Sequence, residues 1–195
     1  IDEPERLKAA YGYVQLLAKS IQTYLKAYRL NQNDPYAGLN ALMLSAVLDH
    51  LAQQVGTDSD PEEEILRQQL PTLKGAIQFC LESATKNDSN NYWALVSLGD
   101  FGVCTEQDPK QVTRAYKKAF TLPEKSKSTL KSTLGQLELL RLLSFRPESV
   151  QAAIPLLQAE YAKFKDKEEA VAHQTTPKPP QVFLFSGHMI DRPDR

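Results

Sequence analysis

The chain reads as all-α, a stack of helical hairpins, on three observations. Apolar residues recur at spacings of three and four through most of its length. The stretches between them are punctuated by Pro, Asn, Asp and Gly, the residues that start and end helices. Two signatures also recur together: Leu98-Gly99 returns as Leu134-Gly135, and Ala76-x3-Cys80-x2-Ser83 returns as Val112-x3-Tyr116-x2-Ala119, each 36 residues on. Such a pattern belongs to stacked hairpins, in which no single unit buries its apolar face alone.

Pro4 opens what reads as one long helix, carrying Leu7, Ala10, Val14, Leu17, Ile21, Leu25 and Tyr28. Asn31-Gln32-Asn33-Asp34-Pro35 ends it, because proline excludes helix from the residue before it. A second helix is expected over residues 36–55, with a broad apolar stripe of Leu39, Leu42, Met43, Ala46, Val47 and Leu51, and Gly56-Thr57-Asp58-Ser59-Asp60 breaks it. Asp60-Pro61-Glu62-Glu63-Glu64 is a start signal: a capping acid, Pro in the first turn, and carboxylates at the positive end of the helix dipole. Three consecutive glutamates point around a helix and do not converge on one ion, so they read as a helix start and not as a metal cluster.

Pro71 is expected to kink or split the helix begun by that signal. Helices are then expected at residues 73–85, 91–105 and 109–121, the last capped by Asp108 and closed before Pro123. Their short connectors make neighbours antiparallel. Residues 126–145 and 147 to about 171 complete an array of about seven helices, with a kink expected at Pro155. Pro177-Lys178-Pro179-Pro180 makes residues 173–180 an extended linker, and Val182-Phe183-Leu184-Phe185 reads as a strand. The expected domains are residues 1–172, helical; 173–180, linker; and 181–195, a strand-and-loop stub opening a truncated further domain.

The 23 basic and 24 acidic residues give a net charge of −1 without a long block of either sign, which argues against a nucleic-acid partner. No apolar run reaches the roughly 18 to 20 residues that cross a bilayer, so no membrane partner is expected. The opening Ile1-Asp2-Glu3-Pro4-Glu5 has neither a basic nor an apolar stretch and reads as a fragment boundary. Cys80 and Cys104, without CxxC spacing and in apolar contexts, read as reduced thiols in a cytoplasmic protein. His50, beside Asp49 at a helix's negative end, reads as a surface or capping residue. No phosphate-binding glycine loop, HExxH, nucleophile elbow or kinase motif occurs. The expectation is therefore a non-enzyme without catalytic residues, cofactor or metal.

The segment from Leu95-x2-Leu98-Gly99 to Val112, Tyr116, Ala119 and Pro123 resembles the tetratricopeptide repeat. A closer resemblance rests on Asp34-Pro35-Tyr36-Ala37-Gly38-Leu39-Asn40-Ala41, Tyr92-Trp93-Ala94-Leu95, Leu130-Lys131-Ser132-Thr133-Leu134 and Phe183-Leu184-Phe185-Ser186-Gly187-His188-Met189-Ile190-Asp191. Together these look like the TRAF-binding central region of apoptosis-signal-regulating kinases and its bacterial relatives, over residues 16–157. The resemblance implies a tetratricopeptide-like superhelix acting as a non-catalytic regulatory scaffold in a larger signalling protein, and residues 181–195 as the start of a Rossmann-like domain. In the repeat register Trp93, Val96 and Asp100 face the concave groove, followed by Thr129, Ser132 and Gln136, with Asn40 earlier. An aromatic among hydrogen-bonding groups suits a peptide, an outside protein or an adjoining domain of the same chain. Self-association through repeat ends is a further expectation, and the alternative is a regulatory fragment of a nucleotide-binding sensor or enzyme whose active domain begins near Val182.

Overall fold

The computed structural model describes residues 2–56, 61–105 and 107–172, with the side chains of residues 61–66 and 165–172 outside the description. The expected linker and strand stub thus lie outside the described residues, within which there are eight helices and no strand. The helices are α1 (Glu3–Tyr11), α2 (Val14–Leu30), α3 (Pro35–Val55), α4 (Pro61–Asn87), α5 (Tyr92–Cys104), α6 (Pro109–Phe120), α7 (Lys127–Leu142) and α8 (Pro147–Ala172).

Polar side chains start most of them. Asp34 accepts from the Tyr36 amide at 3.0 Å, Asn91 from Ala94 at 2.9 Å, Asp108 from Lys110 at 2.8 Å and Ser126 from Thr129 at 3.2 Å. Each satisfies an otherwise orphan donor of a first turn, worth about 1 kcal/mol. Gly56 ends α3 in the left-handed region, φ 71°, and its amide reaches back to the Ala52 carbonyl at 3.0 Å.

The expected single N-terminal helix is instead α1 and α2, which raises the number of helices from about seven to eight. The break falls at Gly12 and Tyr13, where glycine weakens the helix by about 1 kcal/mol relative to alanine. It lets α1 turn so that Leu7 is buried and Arg6 Nε donates to the Leu142 carbonyl at the end of α7. Neither internal proline splits its helix: α4 runs through Pro71 and α8 through Pro155. Both prolines are exposed, so each ring sits on the solvent side of its helix, where a long helix tolerates it best.

The core is organised around α5, Tyr-Trp-Ala-Leu-Val-Ser-Leu-Gly-Asp-Phe-Gly-Val-Cys, apolar on nearly every side, as a helix with neighbours all round must be. It packs on α3, α4, α6 and α8. At Gly99 a Cβ would stand 2.6 Å from the Tyr116 ring, so only glycine lets α6 come this close. Tyr116 fills the space with no exposure, and Val112 and Ala119 are buried beside it.

The other copies of the two signatures do not pack this way. Gly135 of α7 has nothing within 4 Å of where its Cβ would be. On α4, Ala76 is exposed and Cys80 half-buried, while Leu73, Ile77 and Leu81 face the core. The triplet there sits one residue, about 100°, off the buried stripe. Hairpin order changes as well: α6 packs on α8, and α7 packs principally on α8.

The α7–α8 turn folds back on the start of the chain. His50 Nε2 lies 2.9 Å from the Leu143 carbonyl, its ring meets Phe145 edge-on at 5.5 Å, and Ser144 hydrogen-bonds Glu3. Ser144 and Arg146 hold positive φ, 53° and 47°, at about 1 kcal/mol or more each, while Phe145 between them is fully buried. His50 thus acts as a tie between α3 and this turn.

Candidate functional site

The expected concave face of α5 is partly closed. Val96 is buried at 5% exposure and offers no free surface. Asp100 turns toward α6 and accepts from the Tyr116 hydroxyl at 2.6 Å. Trp93 stands out at the start of the helix, 63% exposed, with its ring edge to Tyr92 at 5.4 Å. Asn40 is half-buried and spends its amide on the Tyr36 carbonyl at 2.8 Å. Thr129 belongs to the α7 cap, its hydroxyl 2.7 Å from that of Ser126, while Ser132 is exposed and Gln136 half-buried on the same helix. The structure keeps Trp93, Val96 and Asp100 on one side of α5; it sets Thr129, Ser132 and Gln136 on α7, whose main neighbour is α8.

Around Asp100 lies a polar cluster formed by α5, α6 and α8. Burial pushes the Asp100 carboxyl up to about 6, against the opposing pull of the Tyr116 hydrogen bond. Burial raises Tyr116 well above the ordinary phenol value, and Asp100 adds to it. Tyr92 is pushed to about 12 by burial, then by the charges of Asp100 and Glu160, and its buried hydroxyl has no partner among the described residues. Glu160 of α8 is itself buried. Burial would raise its carboxyl, but Lys125 at 2.7 Å and Lys163 at 2.6 Å outweigh it and hold the group below its usual value. Cys104 closes the cluster, its thiol pushed to about 12 chiefly by burial. Asp100 and Tyr116 are spent on each other and Glu160 on two lysines, which suits interhelical locking. Among the described residues no three His, Cys, Asp or Glu side chains converge as metal ligands.

The open site lies on the other side of α5. Leu95 and Leu98 are about 200° and 140° round the helix from Trp93, at 100° per residue. They form the floor of a groove of about 380 Å³ between α4 and α6, completed by Ala115. Thr85, Lys86 and Glu82 of α4 make one wall, and Gln111, Arg114 and Lys118 of α6 the other. Their spacings of three and four place each set on one helical stripe. Phe79, 74% exposed, continues the α4 stripe one turn before Glu82.

Sequence reasoning missed these residues because the repeat register directed it to the opposite face. A signal was present: α6, Pro-Lys-Gln-Val-Thr-Arg-Ala-Tyr-Lys-Lys-Ala-Phe, has four cations and no acid, although the chain's net charge is −1. Its buried face is apolar, so Lys110, Arg114, Lys117 and Lys118 all stand exposed.

Comparison of the chain with protein-family models, curated proteins and solved structures returns no match. No helix among the described residues is long and apolar enough to cross a membrane.

Proposed function

We propose that the chain is a non-catalytic binding platform of tetratricopeptide-like design, which takes a peptide or a segment of an adjoining domain within a larger signalling protein. The observation carrying this reading is the groove across α4, α5 and α6, an aliphatic floor between two polar helical walls. Its volume is within the range of ligand sites, and its open form suits a chain segment. The surrounding construction supports the same reading, because α5 is held from α3, α4, α6 and α8 and presents a rigid floor.

Selection of a displayed random-peptide library on the folded protein tests it. Selected peptides should lose binding to Ala115→Arg, which fills the floor from a half-buried position, while binding to Ser132→Arg on α7 stays unchanged. Peptides that bind both variants alike, or a selection that enriches nothing, would contradict the reading.

A further inference from the structure

We infer that the segment taken by this groove is acidic, with carboxylates flanking leucine-type anchors. The inference rests on the groove reading above and adds the chemistry of the occupant.

Three cations border the floor: Lys86 on one wall, Arg114 and Lys118 on the other. Among the described residues none of the three forms an ion pair, in contrast to Arg67 with Asp49, Lys125 with Glu160 and Arg141 with Glu138. The one acid at the groove, Glu82, accepts from Gln78 Nε2 at 2.8 Å. Lys110 and Lys117 add to the positive field from the same helix, again without an acid of α6 to offset them. Unpaired cations of one sign on both sides of an apolar strip attract a segment of opposite sign and select it over neutral ones.

The floor determines the rest of the occupant. Leu98 and Ala115 are half-buried above the buried Leu95. This surface rewards aliphatic side chains, which a bare polyanion lacks. Single-stranded nucleic acid binds by stacking bases on aromatic platforms, and the groove floor is aliphatic. An acidic peptide with apolar anchors satisfies both the walls and the floor.

Fluorescence anisotropy with four labelled 15-mer probes tests this: Glu and Leu with leucines at i, i+3, i+4 and i+7; the same peptide with Gln for every Glu; oligoglutamate; and single-stranded oligothymidylate. The Glu-Leu peptide should bind at least about tenfold tighter than each of the others, with affinity falling as salt rises. Arg114→Glu/Lys118→Glu should remove that advantage with an unchanged melting temperature, since both side chains are exposed. Equal binding of the Gln and Glu peptides overturns the acid preference while leaving the groove reading in place. Oligoglutamate or oligothymidylate binding as tightly as the Glu-Leu peptide overturns it in favour of bare polyanion attraction. Failure of all four probes overturns it too, and the display selection above then shows whether the groove itself takes neutral segments.

Discussion

The hairpins α5–α6 and α7–α8 share a Leu-Gly pair in their first helices, yet the two glycines live in different surroundings. Gly99 lies under the Tyr116 ring, at a distance that excludes even a methyl group, whereas Gly135 faces open space. Around Gly99, Val112, Tyr116 and Ala119 are buried, and the Asp100–Tyr116 hydrogen bond locks the pair. The later hairpin joins the array through α8, whose Glu160 is held by Lys125 and Lys163, and its turn is anchored on α1 and α3. The difference teaches that a recurring dipeptide specifies packing only where a second helix lies across it. The groove follows the same division: the first hairpin helps line it, and α8 of the second packs against α5 and α6.

The comparison breaks most visibly at Gly99. Gly99→Ala places a methyl against Tyr116, and we expect a loss of about 2–3 kcal/mol in urea unfolding, overpacking strain exceeding the better helix propensity of alanine. Asp100→Asn comes next. The folded carboxyl keeps its proton to about pH 6, whereas the unfolded one releases it near 3.8, so the wild type loses stability as pH rises between these values. Asparagine keeps an acceptor for Tyr116 and does not titrate. The variant should exceed wild type by about 1–2 kcal/mol at pH 8, allowing for the partial exposure of the group, with its pH-dependent advantage gone below pH 4. Gly135→Ala in the second hairpin should raise stability by about 0.5–1 kcal/mol, the opposite sign to Gly99→Ala, seen as a melting shift of about 1–4 °C. Smallest is Tyr92→Phe, which removes a buried hydroxyl without a partner among the described residues and should raise the stability measured by denaturant unfolding by about 0.5 kcal/mol.

Much of the helical framework was legible because it is written locally. Asp34, Asn91, Asp108 and Ser126 cap where turn chemistry places them, and the apolar spacing of α5 and α6 marks buried helices. The break at Gly12 was hidden by an apolar rhythm that continues across it, with a cause, the docking of α1 on the distant α7–α8 turn, that no local pattern records. Pro71 and Pro155 stay within helices with their rings on the solvent side, a matter of orientation and not of sequence. The site was less legible. Asp100 and Val96 lie on the face the register assigns to a groove, but α6 draws in the first and packing buries the second. The groove on the opposite face depends on how far α4 and α6 stand apart over Leu98, which is a tertiary quantity.

Amide hydrogen exchange with and without the Glu-Leu 15-mer compares the two hairpins most directly as binding surfaces. Added protection should fall on residues 82–86, 95–98 and 111–118, leaving residues 129–136 of α7 unchanged. Protection centred on Thr129, Ser132 and Gln136 instead would place the working surface on the second hairpin and contradict the account.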